Sequence, residues 1–278
     1  MPDDRSTITP LAHALDAGVF GGKAAQLGTA LRSGLPVPAG YAMSPRVVEA
    51  VVEDHPPAMA ALARTSTELG VMAVRSSASD EDSAGASFAG AHLSVLAVFG
   101  HDAVAAAIRD VHASGQLAGP RSYRSSMGLD PGCRMAVVIQ QLVDADAAGV
   151  LFTRNPVTGA DERVIEATWG LGEAVVAGLV TPDQYRVARG GRTLERRLGD
   201  KDVAIRPRRD GGADDPTEEV PVDPAMADTH CLGDAELAAL DALATQCDDV
   251  YGARDHDIEF AFRDGEIFLL QRRPITRV

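Results

Sequence analysis

Several features that define common classes of protein are scarce or missing in this sequence. It has three cysteines, Cys133, Cys231 and Cys247, and none lies in a CxxC pair, so neither a disulfide framework nor a zinc site is indicated. There is no H-E-x-x-H sequence and no Ser-His-Asp order, and the histidines are unclustered. No apolar run reaches the roughly 18 residues that a membrane-spanning helix requires. These absences argue against a disulfide-rich protein, a zinc or serine hydrolase and a membrane protein.

Positive charge is also in deficit. The formal net charge of −14 argues against a broad surface for nucleic acid or anionic membrane, although a local cationic pocket remains compatible with it. The first ten residues lack the apolar stretch of a secretory signal, so we expect a cytoplasmic protein. A chain of 278 residues is long enough for one large domain or two lobes.

The C-terminal stretch carries the most informative pattern. Two apolar runs flank Arg263-Asp264-Gly265, which predicts a β-hairpin. A two-residue turn would pair Glu259 with Leu270 and place Gln271 on the opposite face. A three-residue loop would instead pair Phe262 with Glu266 and Phe260 with Phe268.

The apolar pattern favours the three-residue loop, because a one-residue slip would mix apolar and polar side chains on each face. The apolar face would then carry Ile258, Phe260, Phe262, Phe268 and Leu270, and the polar face Asp257, Glu259, Gln271 and Arg273. Carboxylate and amide oxygens suit Mg²⁺ that bridges nucleotide phosphates, and arginine offers a planar fork to phosphate oxygens. A half-buried hairpin with a solvated polar face is the alternative.

Two stretches nearer the N-terminus also suit phosphate. Gly21-Gly22 brings Lys23 to the start of a predicted helix that ends before Gly34, where the dipole and free N–H groups favour an anion. Arg75 is predicted at the exit of a strand over 71–74, before a loop rich in Ser, Ala and Gly that could close over phosphates. A plain loop with a surface lysine, and a flexible connection, are the respective alternatives.

From Met135 onward the sequence predicts strands. Residues 135–143 and 149–153 are joined by a connection short enough for a hairpin, and Gln140 or Gln141 needs a buried partner, either an adenine edge or a backbone group. A third strand over 163–170 leads to a Gly-Leu-Gly turn. Lys201 follows a Gly-Asp pair and could reach a phosphate. Residues 234–251 form an amphipathic helix with Leu237, Leu240, Leu243, Ala244 and Cys247 on one side.

Five stretches, in this order, resemble the nucleotide-binding domain of phosphoenolpyruvate synthase, pyruvate phosphate dikinase and rifampin phosphotransferase. They are GGKAAQLG, VRSSASDEDSAGASFAG, VIQQLVDADAAGVLFTRNPVTG, VIEATWGLGEAVVAGLVTPDQY and DIEF followed by LLQRRPIT. The resemblance implies an α+β ATP-grasp fold of two lobes, with ATP in the cleft between them. We expect lobes over 1–134 and 135–278.

The resemblance also implies roles for individual residues. Those implied to bind MgATP are Lys23, Arg75, Gly90, Ser94, Gln140, Glu259, Gln271 and Arg273. Of these, Glu259 and Gln271 would hold Mg²⁺, and Lys23, Arg75 and Arg273 would act on the transferred phosphate. Glu166 and Glu173 are candidates for a general base.

Departures from the family pattern leave the phosphate acceptor open. Larger members carry a swivelling domain whose histidine ferries phosphate, and Thr229-His230 lacks the residues that flank that histidine. Arg272 replaces the alanine common in the family and falls on the apolar face, where it either snorkels or meets a partner. We expect an ATP-dependent phosphotransferase that acts on a small molecule or on a histidine of a separate carrier. A non-catalytic ATP-binding module, or a domain of a longer enzyme, is the alternative.

Overall fold

A computed structural model describes residues 5–78, 93–116, 135–208, 216–252 and 255–275. Within these ranges the chain forms two compact units that combine helices with antiparallel sheets, which confirms the predicted α+β class. The first unit is built from described residues within Met1–Thr29 and Ala39–Leu142. The second contains Ala30–Pro38 and the described residues within Val143–Arg208 and Thr217–Val278. None of the described helices is both long and apolar enough to span a membrane.

The first unit contains a five-stranded sheet in the order β1-β2-β5-β3-β4, with every neighbouring pair antiparallel. Its strands are β1 (Thr9–Pro10), β2 (Gly40–Met43), β3 (Val71–Ser77), β4 (Ser94–Phe99) and β5 (Ala136–Gln141). Its helices are α1 (Ala17–Arg32), whose last three residues fall in the second unit, α2 (Pro45–Val52), α3 (Pro56–Leu69) and α4 (His101–Ser114). Apolar side chains of α2, α3 and α4 pack with one face of β3 and β5 to form a continuous buried core.

The second unit contains a six-stranded antiparallel sheet in the order β13-β12-β6-β7-β8-β9 and a separate β10-β11 pair. The strands of the larger sheet are β6 (Ala147–Phe152), β7 (Glu162–Trp169), β8 (Asp183–Ala188), β9 (Thr193–Arg197), β12 (His256–Arg263) and β13 (Glu266–Pro274). The remaining elements are β10 (Val203–Pro207), β11 (Thr217–Pro221), α5 (Glu173–Val176), α6 (Pro224–Ala227) and α7 (Asp234–Tyr251). The five side chains predicted for one side of α7 are all buried.

Strands β5 and β6 do not form the predicted hairpin. β5 pairs with β2 and β3 in the first sheet, whereas β6 pairs with β7 and β12 in the second. The short connection between them is where the chain passes from one unit to the other. The chain thus passes from the first unit to the second between Leu142 and Val143, besides the earlier excursion of Ala30–Pro38 into the second unit. The expected lobes over 1–134 and 135–278 stay a prediction.

The C-terminal hairpin turns differently from the expected way. Arg263 pairs directly with Glu266, so the loop is the two-residue turn Asp264-Gly265, with φ of 51° and 79°. Two consecutive positive φ angles are typical of the type I′ turn, which matches the twist of the flanking strands. The predicted three-residue loop, with Phe262 opposite Glu266, is wrong.

A β-bulge nevertheless restores the predicted polar face. Phe260 pairs with Leu269 and Glu259 pairs with Gln271, so Leu270 is the extra residue of the bulge. Asp257 then lies opposite Arg273. Because residues directly opposite each other share a face, the four predicted polar side chains stand together. The apolar face differs from the prediction: Ile267 and Leu269 lie opposite Phe262 and Phe260 in place of Phe268 and Leu270.

Candidate functional site

We call the side of the larger sheet that carries Asp257, Glu259, Gln271 and Arg273 the front face. Arg273 Nε donates to Asp257 Oδ2 at 2.7 Å. Asp257 and Gln271 are buried, whereas Glu259 and Arg273 are half-buried. The last two strands thus place two carboxylates, an amide and a guanidinium side by side, with part of the set accessible to a ligand.

The carboxyl group of Asp257 has a raised pKa. Burial is the largest cause; Arg273 opposes the shift, and the nearby charge of Glu259 adds to it. The Arg273 guanidinium therefore does not offset the cost of burying the Asp257 carboxylate. An added cation would lower the cost of keeping both groups ionised.

The front face continues across the sheet towards β8. Glu259 lies opposite Val150, Val150 opposite Glu166, and Glu166 opposite Gln184. Gln184 Nε2 donates to Glu166 Oε1 at 3.1 Å. Two strand spacings separate Glu166 from Glu259, or about 10 Å between their Cα atoms. The structure therefore places Glu166 on the same face as the terminal strand pair, whereas Glu173 is exposed at the first position of α5.

In the first unit, three predicted residues share one face of the sheet. Arg75 lies opposite Ser94 on β4 and opposite Val138 on β5, and Gln140 lies two residues beyond Val138 on the same side. Arg75 sits inside β3, which continues to Ser77, whereas we expected it at the strand exit. Gln140 is buried, as predicted for one glutamine of that strand.

Lys23 is brought to the end of β3. Its Nζ donates to the carbonyl oxygen of Ser76 at 3.0 Å, and the side chain is buried. The helix α1 is interrupted at Gly21, whose φ of 81° lies in the left-handed region. A side chain at Gly21 would collide with the backbone of Ser77, since a Cβ there would lie 1.9 Å from the Ser77 oxygen. Gly21 thus permits the close approach that places Lys23 next to the strand of Arg75.

Of two further predictions, one falls on residues that the structure does not describe and the other is wrong. Gly90, and most of the loop that follows Arg75, lie outside the described residues. Lys201 does not reach outward to a phosphate: it is fully buried, and its Nζ donates to Asp183 Oδ1 at 2.7 Å. Its carboxylate partner, Asp183, lies on β8, and no sequence pattern indicates the pairing.

The contacts of Arg272 on the other side of the larger sheet could not be read from the sequence. Arg272, between the two front-face residues of β13, points to the opposite face and donates from Nε to His256 Nδ1 at 3.0 Å. Its guanidinium carbon lies 4.3 Å from the centroid of the Tyr251 ring. Of the two outcomes expected for Arg272, the structure shows the second: it meets a partner on the apolar face. His256 itself is fully buried.

The fold and these side chains define an α+β protein with polar sites on the sheets of its two units. Residues 48–278 match the family described as "Pyruvate phosphate dikinase, AMP/ATP-binding domain". Because the match covers most of the chain, the protein belongs to this family, and the predicted resemblance is confirmed.

Named relatives agree with this assignment. The chain is 35% identical to a probable phosphoenolpyruvate synthase from Methanothermobacter thermautotrophicus over 94% of this chain and 44% of the relative. It is 39% identical to rifampicin phosphotransferase from Streptomyces sviceus over 78% of this chain and 24% of the relative. It is 37% identical to the uncharacterized phosphotransferase YvkC from Bacillus subtilis over 74% of this chain and 24% of the relative. The chain thus spans less than half the length of these relatives.

Among solved structures, D-alanyl-alanine synthetase A from Vibrio cholerae covers 94% of this chain and 57% of its own, with 12% identity and a TM-score of 0.40. A match this distant adds nothing to the family assignment. The expected position of ATP in a cleft between two lobes stays a prediction.

Proposed function

We propose that this protein binds MgATP and transfers a phosphoryl group from it. The observation that carries the proposal is the front-face set of Asp257, Glu259, Gln271 and Arg273. Two carboxylates and an amide offer oxygen ligands beside a guanidinium that can bind phosphate oxygens in a planar fork. Membership in a family of AMP/ATP-binding domains, and relatives named as phosphotransferases, support the same reading.

Magnesium fits the residues present. On the front face, β12 and β13 offer carboxylate and amide oxygens as ligands. Burial raises the pKa of Asp257 and the charge of Glu259 adds to the shift, so a bound cation would favour the ionised carboxylate. In the described ranges, no group of three or more His, Cys, Asp or Glu side chains could hold a metal by itself. That suits Mg²⁺, which is usually held by one or two carboxylates together with waters and substrate phosphates. We propose Glu259 and Gln271 as its ligands; when bound, the ion would offset phosphate charge.

The protein side chains would position the phosphates and stabilise charge during transfer. Arg273, oriented by Asp257, would bind the transferring group, and Lys23 and Arg75 would bind phosphate oxygens from the first unit. Ser94, Gly90 and Gln140 would complete the nucleotide site, with Gln140 near the base. Glu166 is the better placed of the two candidate bases, because it shares the front face with Glu259.

The acceptor is proposed as a small molecule or a histidine on a separate carrier. The histidine carrier is part of the proposal because the relatives are much longer than this chain and contain regions without a counterpart in it. The two acceptors predict different products. Direct phosphorylation of a hydroxyl or amine releases ADP, whereas the chemistry known for the resembled family releases AMP and phosphate through a histidine carrier.

The experiment is to incubate the chain with MgATP and candidate acceptors, with and without a histidine carrier domain from a relative, and to quantify ADP, AMP and phosphate. Glu259→Gln, which preserves size and removes charge, is the matched inactive control. ADP formation that depends on a small acceptor supports the direct reaction, and AMP formation that depends on the carrier supports the relayed one. Tight MgATP binding without either product in any mixture supports the non-catalytic module instead.

A further inference from the structure

Arg272 occupies an unusual position for a charged side chain. It lies opposite Ile258 on the side of the sheet away from Asp257 and Glu259, and only 6% of it is exposed. Burying a guanidinium is costly unless it gains partners that replace water. Its neighbours Gln271 and Arg273 point to the front face, so successive residues of β13 alternate between the two sides.

The partners of Arg272 come from two other elements. Nε and Nη2 lie 3.0 and 2.6 Å from Nδ1 of His256 on β12. Because Nδ1 accepts a hydrogen bond from the arginine, the neutral imidazole carries its proton on Nε2, which lies 3.4 Å from Asp248 Oδ1. The guanidinium also rests over the ring of Tyr251, at the end of α7, in cation–π geometry. One side chain therefore ties β13 to β12 and to α7.

The contacts of Arg272 are compatible with only one of the two pairings open to the hairpin. Without the bulge, the two-residue turn would continue to pair Glu259 with Leu270, and every later residue of β13 would change sides. Gln271 and Arg273 would then leave the front face, and Arg272 would move onto it. The observed bulge at Leu270 prevents this, and the Arg272 contacts form only in the bulged pairing.

We propose that Arg272 is a positioning residue, which holds Gln271 and Arg273 on the front face by anchoring β13 to His256 and Tyr251 across the Leu270 bulge. The functional part of this inference rests on the proposed MgATP site. Arg272 itself lies on the opposite side of the sheet and acts through its neighbours.

The pairing can be tested without any nucleotide. In the otherwise unchanged chain, the double variant Glu259→Cys/Gln271→Cys places two thiols opposite each other, and we expect it to form a disulfide under mild oxidation. The double variant Glu259→Cys/Leu270→Cys reports the unbulged pairing and should stay reduced. Adding Arg272→Ala should reverse this preference, as quantified by peptide mass spectrometry. An unchanged preference after Arg272→Ala would overturn the anchor.

The functional consequence is tested by MgATP titration calorimetry on the full chain. Arg272→Ala should weaken MgATP binding about tenfold, as expected for one displaced charged contact, but less than twofold when Arg273 and Gln271 are already alanine. Arg272→Lys, which keeps a cation over Tyr251, should recover part of the loss. Equal losses in both backgrounds would mean general destabilisation and overturn the positioning role.

Two controls separate the possible failures. Tyr251→Phe keeps the ring under the guanidinium and should bind MgATP like the parent chain. If Arg272→Ala does not fold, Tyr251→Leu, which removes only the ring, provides the same comparison and should give a smaller loss through the same two residues. Absence of MgATP binding by the parent chain would reject the proposed function, whereas the disulfide result would still decide the anchor.

Discussion

Asp183 and Asp257, two carboxylates of the second unit, each bond to a cation at 2.7 Å, yet their surroundings differ. Asp183 and Lys201 are both fully buried, whereas the side chain of Arg273, the partner of Asp257, is 37% exposed. Asp183 also accepts hydrogen bonds from the backbone N–H groups of Gly199 and Cys231. The first pair is enclosed by protein, and the second reaches the surface of the front face.

The pKa shifts of the two carboxyl groups run in opposite directions. Burial alone would raise the pKa of Asp183, but the donors from Gly199, Lys201 and Cys231 outweigh it and lower the pKa. For Asp257, burial prevails over Arg273 and the charge of Glu259 adds to it, so the pKa is raised. A carboxylate satisfied by several internal donors is structural, whereas one whose burial is not offset by its donors suits a ligand that brings a cation.

The largest expected effect is on stability, at the enclosed pair. Asp183→Ala leaves Lys201 buried without its counter-ion, so we expect the free energy of unfolding to fall by about 3–5 kcal/mol. Urea denaturation followed by circular dichroism measures this. Because the folded pKa of Asp183 lies below its ordinary value of 3.8, its contribution is present above that pH and is lost as pH falls through the folded pKa. The Asp183→Ala variant should not show the loss of stability that protonation of Asp183 causes in the parent. If both proteins lost the same stability as pH falls, the lowered pKa of Asp183 would be contradicted.

The accessible pair should show the reverse pattern. Arg273→Ala is expected to reduce the rate of phosphoryl transfer by roughly 10²–10³-fold, as removal of one charge-stabilising donor does. Its cost in stability should stay below about 1 kcal/mol, because the ion pair is partly exposed. Turnover of MgATP and thermal unfolding are measured on the same preparation. An Arg273→Ala protein with full activity would refute the site. Arg196→Ala, which breaks an exposed ion pair with Asp234, serves as a control for arginine removal.

The contrast also shows what the sequence could predict. The buried side of α7 followed from leucines at helical spacing, since that periodicity is local. The predicted polar face of the terminal hairpin is confirmed, although the predicted three-residue loop is wrong. Asp257, Glu259, Gln271 and Arg273 share a face in any pairing that sets odd-numbered residues opposite odd-numbered ones. The two-residue turn sets odd opposite even, and the Leu270 bulge corrects this by one residue.

The remaining features depend on contacts between distant parts of the chain. Nothing near Leu270 predicts a bulge, because the contacts of Arg272 with His256 and Tyr251 become visible only in the folded unit. A short connection after β5 is equally compatible with a hairpin and with passage to another sheet. Lys201 looked like a phosphate ligand because its partner, Asp183, lies 18 residues earlier. Sequence spacing therefore identified elements and faces, but not which charges are enclosed.

A smaller effect should appear at Asp257 when pH is varied. Its folded pKa lies above the ordinary value of 3.8, so its contribution to stability is fully present below that pH and is lost as pH rises through the folded pKa. Asp257→Asn removes this loss, so the variant should gain stability relative to the parent by on the order of 1 kcal/mol at neutral pH. Urea titrations across this pH range measure the difference. If the difference in the free energy of unfolding between Asp257→Asn and the parent became smaller as pH rises, the pKa of Asp257 would be lowered instead.

The smallest effect is expected at Cys231, beside the enclosed pair. Its backbone N–H donates to Asp183 Oδ2 at 2.8 Å. Cys231→Ala keeps that bond and removes only the hydrogen bond between the thiol and the same carboxylate. The loss of stability should be roughly 1 kcal/mol or less, the cost of a small buried group. Burial and the Asp183 charge raise the thiol pKa, so iodoacetamide should label Cys231 only after unfolding. If Cys231→Ala destabilised the chain as much as Asp183→Ala, the thiol would have to be a main support of the pair, and backbone donation could no longer explain why Asp183 stays ionised.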